Sequence, residues 1–395
     1  MQIFTNAKLV LEDGLIENAF LIAKEGKILE FGQMDAFPHR LSNIFDCKGM
    51  YLAPGFIDLH THGAGGHDFM DGTVEAMVGA SLAHMMHGTT SIMPTTLTSS
   101  DADLFRAIDS YHTVCNMDIA LPRFLGLHLE GPYFAESQKG AQPESYIRNP
   151  DKEHVLKILD YAKGAVSRWS LAPELPFANE VIQLLAEKGI LVSAAHTDAT
   201  FHEMQTAYAS GVRLLTHFYS AMSSIKRVDG HRVLGAVEAG YMLDGLSLEL
   251  IADGVHLPKE LLQMIVRFKN HAEIILCTDS MRGASMPNGQ YLLGSKQDGD
   301  MVLVEDGIAI LPDRSAFAGS VATADRLIKV MIEQAGLPIY TAVKMLTANP
   351  ARLIGKDHEI GTISIGKCAD FVLLNEEIEV QAVYVSGIKM FEQGK

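Results

Sequence analysis

Apolar and polar positions change texture along the chain. From residue 1 to about 54 the runs IFTNAKLVL, FLIAKEG and KILEFG have strand character, and Asp13-Gly14 and Glu25-Gly26 mark turns between them. The final stretch, GTISIGKCADFVLLN followed by VQAVYVSGIKMFEQG, has the same texture. Residues 55–350 alternate between two patterns. Eight short apolar, β-branched runs appear there: FIDLHTHG, TTSIMPTT, RFLGLHLEG, SRWSLAPE, ILVSAAHT, VRLLTHFYS, LSLELIADGVH and EIILCTDS. Most are separated by segments with a 3.6-residue period, such as TVEAMVGASLAHMMHG, ADLFRAIDSYHTV, HVLKILDYAKGAV and NEVIQLLAEKG.

Eight strands alternating with helices predict a parallel sheet closed into a (β/α)8 barrel over 55–350. An open, doubly wound sheet is the competing architecture, but no Gly-rich dinucleotide loop follows the first strand. The two β-rich ends, 1–54 and 351–395, are expected to fold together as one small β domain. Residues 284–316 read as a hairpin-bearing insertion before the closing helices.

Composition narrows the function. Apolar residues make up 48% and charged residues 20% of the 395 positions, which excludes wholesale disorder. With 48 acidic and 32 basic side chains, the formal charge is −16. Such a surface repels nucleic acid and anionic membranes, whereas a few local cations still admit a small anionic substrate. Cys47, Cys115, Cys277 and Cys368 lie far apart with no C-x-x-C pair, so a reducing compartment is expected. The N-terminus lacks a basic region followed by an apolar core, and no apolar run approaches the ~20 residues of a membrane span. A cytoplasmic protein is expected.

The chemistry lies in where the polar residues fall. His60 and His62 end the first apolar run, Glu130 the third and His196 the fifth. His217 ends the sixth, His256 the seventh and Asp279 the eighth. The carboxyl ends of barrel strands meet at the mouth, so these residues are expected to converge there. One such residue alone would read as a hydrogen-bonded core group or a helix cap. The His60/His62 pair differs, because i and i+2 in a strand share a face, and two buried imidazoles need a common partner. His84 and His87 fall in a helical run away from any strand end and read as structural. His39, His112, His202 and His271 read the same way.

The set resembles the amidohydrolase superfamily, and within it the branch that deacetylates amino-sugar phosphates. The motifs that carry it are APGFIDLHTHGAGGHDF, LHLEGPYF followed by KGAQ, LAPE, HTDAT, THFYSAM, ADGVHL, FAGS and NPARLIG with GTISIGKCADFVLL. The resemblance implies a barrel with a small β-sandwich from both termini. It implies one or two divalent ions (zinc, iron, manganese or cobalt), with Glu130, His196 and His217 holding one. His60 and His62 support a second, with Glu130 able to bridge. Asp279 is expected to shuttle a proton from water to the leaving amine, and His256 to polarise the amide carbonyl. Ala141, Gln142, Ser220 and Ala221 are expected sugar contacts, and Ala318 and Gly319 line the pocket through their backbone. Arg227 matches an arginine that in many relatives reaches phosphate across a dimer interface, so a homodimer is implied.

Two departures stand out. Ser220 occupies a usual Asn position, and the 226–232 loop differs in length and sequence. Both lie where sugar and phosphate would be read. The expected substrate is N-acetylglucosamine 6-phosphate. N-acetylgalactosamine 6-phosphate and an unphosphorylated N-acyl compound are alternatives, and an inactive barrel acting as a binding protein is the remote one.

Overall fold

The computed structural model describes residues 1–38 and 44–394; His39 lies outside them. All eight expected barrel strands form: β1 (Phe56–Thr61), β2 (Thr89–Thr96), β3 (Leu127–Glu130), β4 (Val166–Leu171), β5 (Leu191–Ala194), β6 (Val212–Leu215), β7 (Ser247–Leu250) and β8 (Ile274–Leu276). Each pairs in parallel with the next, from β1 through β8. Hydrogen bonds just beyond the strand ends join β8 back to β1. Asp279 N donates to His60 O at 2.9 Å, His62 N to Ser280 O at 2.8 Å, and Thr278 Oγ1 to Asp58 Oδ2 at 2.6 Å. The seam therefore runs through three of the candidate site residues.

The third run departs from the expected continuous strand. Arg123–Phe124 and Leu127–Glu130 both pair with β2, but Gly126 interrupts them at φ +104°. A Cβ there would lie 1.9 Å from Ser167 Oγ, so only glycine permits this approach to β4.

Helices cover the outside of the barrel, and their starts are written in the sequence. Thr73 caps Val74–Met86 and Ser100 caps Asp101–Cys115, each accepting a backbone N–H. Thr200 and Glu203 form a capping box at Phe201–Ser210, four residues after His196. The expected insertion is a three-stranded antiparallel sheet (Gly289–Leu293, Asp300–Glu305, Ile308–Ile310). Arg282 ties it down, donating to Leu292 O at 2.7 Å and to Asp71 Oδ1 at 2.9 Å.

The chain ends share one eight-stranded sheet. Tyr51–Pro54 pairs antiparallel with Phe371–Leu374, so β strands from both termini meet at this register. The sheet folds over on itself: the Phe4 ring lies 5.7 Å from that of Phe371 and 4.9 Å from that of Tyr384, two and three strands away. Leu9, Leu21, Leu52 and Leu373 fill the enclosed core. This is the mixed architecture expected of the sequence, a barrel with a separate sheet from the chain ends. The helix Ala348–Leu353 packs on β1 and β8. Among the described residues, no helix is long and apolar enough to cross a membrane.

Candidate metal centre and cleft

Three candidate ligands sit on strained backbone two or three residues after their strands. His196, His217 and Asp279 have φ of 47°, 34° and 45°, a left-handed conformation that costs non-glycine residues on the order of 1–3 kcal/mol each. Neighbouring hydrogen bonds hold it: Ala135 N donates to His196 O, Ser220 N to His217 O, and Ser320 N to Asp279 O. The strain turns side chains that would continue along the strands toward a common point.

That point is Glu130. Its Oε1 lies 3.2 Å from His217 Nε2, 3.6 Å from His196 Nε2 and 3.5 Å from His60 Nε2. Its Oε2 lies 3.2 Å from His62 Nε2. Asp279 Oδ1 stands 3.3 Å from His60 Nε2 and 3.2 Å from His62 Nε2. Two adjacent donor sets that share no residue result, Glu130/His196/His217 and His60/His62/Asp279, each with its ligand atoms within 4.8 Å of one another. Burial raises the Glu130 pKa, but His60, His196, His217 and His62 outweigh it and hold the carboxyl well below its usual range. Burial likewise acts upward on Asp279, and His60 and His62 overcome it, lowering its pKa. Both carboxyls are therefore anionic at neutral pH.

The residues fit a divalent cation. His196 gives its Nδ1–H to Gln138 O at 2.7 Å, leaving a lone pair on Nε2 that faces His217 Nε2 across 3.2 Å. A proton or a cation must lie between two nitrogens so placed. His60 Nε2 is buried and makes no hydrogen bond among the described residues. Imidazole and carboxylate donors suit zinc, iron(II), manganese(II) or cobalt(II).

Above the ligands a cleft of about 210 Å³ opens, lined by His62, Glu130, His196, His217, His256 and Asp279. Ala141, Gln142, Ser220, Ala221 and Gly319 also face it. Gln142 is fixed, with Nε2 donating to Glu130 Oε2 at 2.7 Å and Oε1 accepting from Thr98 N at 3.0 Å. His256 gives Nδ1–H to Asp253 Oδ2 at 2.9 Å, so its other ring edge is free for the cleft. Gly319 adopts φ +62°, and a Cβ there would stand 2.9 Å from Asp279 O. Ala318 is buried behind the wall in an apolar cluster with Met281 and Leu293. Arg227 is not brought in: it lies exposed on the hairpin Lys226–Val228/His231–Val233, paired in register with Arg232.

Several residues of the site escape the strand-end rule. Phe317 and Ile251 line the cleft, and Leu293 reaches it from the insertion. Arg168 and Glu249 are wholly buried below the ligands. A charge in the middle of SRWSL and another in SLEL were the available signals. His84, read as remote from any strand end, packs directly beneath β1, with Nε2 2.7 Å from Thr61 Oγ1. The helical run carries it there because Val74–Met86 packs on the Gly63–Asp68 turn that follows the first strand and on β2.

The comparisons agree with this geometry. The amidohydrolase family model matches residues 51–390. A curated N-acetylglucosamine-6-phosphate deacetylase of Lysinibacillus sphaericus is 33% identical over 390 residues, covering 98% of this chain and 96% of the relative. The crystal structure of N-acetylglucosamine-6-phosphate deacetylase from Pasteurella multocida superposes with a TM-score of 0.90 at 28% identity, over 98% of this chain and 99% of that one. A Mycobacterium smegmatis N-acetyl-D-glucosamine-6-phosphate deacetylase mutant, in complex with N-acetyl-D-glucosamine-6-phosphate, gives 0.90 at 27% identity, over 98% of each chain. This chain belongs to the amidohydrolase family.

Proposed function

We propose that the protein hydrolyses the acetamide of N-acetylglucosamine 6-phosphate, releasing acetate and glucosamine 6-phosphate. The observation that carries the reading is the contact of Glu130 with both His196 and His217 at the floor of the cleft that Asp279 borders. Full-length likeness to deacetylases of this sugar phosphate supports the substrate.

Glu130, His196 and His217 would hold one divalent ion, and His60, His62 and Asp279 a second, with Glu130 touching both sets. When bound, such an ion supplies a water acidified toward pKa ~7 and polarises the scissile carbonyl. Asp279, anionic and at the cleft floor, accepts the water's proton. It then returns that proton to the amide nitrogen, because an amine leaves poorly unless protonated. His256 is oriented by Asp253 and turns its Nε2 edge to the carbonyl oxygen, where negative charge develops. Gln142 holds Glu130, and the backbone at Ala141, Ala221 and Gly319 shapes the wall against the sugar.

Arg227, exposed and absent from its own cleft, is suited to reach the phosphate held by a second copy, so the active form is a homodimer. The four cysteines are unpaired in the structure, which suits a cytoplasmic setting. Ser220 on the cleft wall favours a second reading with the same chemistry on another N-acetylated amino sugar. Comparing kcat/KM for N-acetylglucosamine 6-phosphate, N-acetylgalactosamine 6-phosphate and the unphosphorylated sugars decides between them. A clear preference for the first supports the proposal, and a preference for any other replaces it. No acetate from any of them would leave a binding protein.

A further inference from the structure

Inside the barrel, below the ligands, lies an ion pair that the deacetylation scheme does not use. Arg168 on β4 and Glu249 on β7 are both fully buried. All five guanidinium N–H groups have acceptors. Nη1 and Nη2 bind the two Glu249 oxygens at 2.5 and 2.8 Å, a bidentate fork. The other three go to Ser193 Oγ at 3.1 Å, Leu59 O at 3.1 Å and Thr216 Oγ1 at 2.9 Å. Arg168 is thereby locked to β1, β5 and β7 and to Thr216 just beyond β6. Glu249 Oε2 in turn lies 3.1 Å from His60 Nδ1.

A carboxylate only accepts, so His60 Nδ1 must carry a hydrogen, and the neutral ring, the form able to ligate a cation, then has its lone pair on Nε2. That Nε2 is buried, makes no hydrogen bond among the described residues, and faces Asp279 and Glu130. The other imidazoles are anchored differently. His196 Nδ1 is held by a main-chain carbonyl, while His62 Nδ1 and His217 Nδ1 have no hydrogen-bond partner among the described residues. Each donor set thus contains one anchored and one unanchored histidine, and only the His60/His62/Asp279 set is anchored through a charged pair.

We infer that Arg168 and Glu249 are positioning residues that fix the His60 tautomer and so determine retention of a cation at His60/His62/Asp279, independently of the Glu130/His196/His217 position. The inference rests on the metal-dependent reading above. Carboxylates placed behind ligating histidines typically contribute 10–100-fold to metal affinity. Removing Glu249 alone would strand a buried guanidinium, whereas replacing a buried pair by apolar residues of similar volume is often tolerated.

The test uses the full-length protein, Glu249→Gln and the double variant Arg168→Met/Glu249→Met, each purified, stripped and titrated with zinc or manganese. Circular dichroism and thermal melting confirm folding. The wild type is expected to take up two ions per chain. Whichever variant is folded is expected to keep one at wild-type affinity and to bind the other 10–100-fold more weakly. Long-range 1H–15N spectra of the stripped proteins should show His60 as the Nδ1–H tautomer in the wild type, and a tautomer mixture in the double variant. Two ions bound with unchanged affinities in a folded variant overturn the inference and leave the deacetylase reading standing. A wild type that binds a single ion also overturns it, and a wild type that binds none overturns both.

Discussion

His84 gives a quantitative test of how the floor of the site is held. Its Nε2 lies 2.7 Å from Thr61 Oγ1, 3.2 Å from Ser280 Oγ and 3.3 Å from Gly63 O, beneath the strand end that carries His60 and His62 and beside the residue after Asp279. Burial pushes its pKa from 6.5 down to about 4, helped by His87 and only partly opposed by the Gly63 carbonyl. The unfolded chain, with an ordinary imidazole, binds a proton throughout that interval and the folded chain does not. Stability from this group is therefore complete above about pH 6.5 and falls as the pH drops toward 4. Integrating the linkage relation between pH 7 and pH 5 gives a loss of about 2 kcal/mol. His84→Gln abolishes the titration. The variant starts less stable at pH 7, by about 1–2 kcal/mol for the altered buried hydrogen bonds. Between pH 7 and pH 5 it should then lose about 2 kcal/mol less than the wild type does. Urea unfolding in chelator, followed by fluorescence of the single tryptophan, Trp169, measures both slopes. Parallel pH dependence in the two proteins would refute the burial argument.

Three further outcomes follow from the same geometry. Asp279→Asn keeps the shape of the side chain but cannot accept a proton, so kcat should fall by about 10³-fold or more with folding intact, as acetate release and melting curves will show. Gly319→Ala forces a Cβ to 2.9 Å from Asp279 O at φ +62°. It should lower stability by about 1–2 kcal/mol and reduce kcat through displacement of Asp279, read by calorimetry and steady-state kinetics. Arg227→Ala should raise KM for the phosphorylated sugar by about 10-fold or more and leave KM for the unphosphorylated sugar unchanged; equal effects on both would remove Arg227 from phosphate recognition.

The barrel was legible because the strands are short apolar runs and six of the eight end in a histidine or a carboxylate, a pattern that strand geometry converts into a mouth lined with candidate ligands. His60 and His62 were the clearest case, since their spacing alone puts them on one face. The pairing of Arg168 with Glu249 was not legible. Each charge is visible in its strand, but their meeting across the barrel interior depends on closure, which brings together positions 81 residues apart. His84 was misplaced for a related reason. Helical periodicity says which face of Val74–Met86 is buried, not which strand it lies against. The break at Gly126 was hidden because a glycine inside an apolar run reads equally as strand or bulge. Leu293 reaches the cleft only through the tertiary placement of the insertion, held by Arg282 on Asp71.

The most direct measurement is acetate release from N-acetylglucosamine 6-phosphate by one preparation before chelation, after chelation, and after divalent metal is restored. Activity that disappears with the ion and returns with it is the predicted result. Hydrolysis at the same rate by fully stripped protein would contradict the role given to Glu130, His196 and His217.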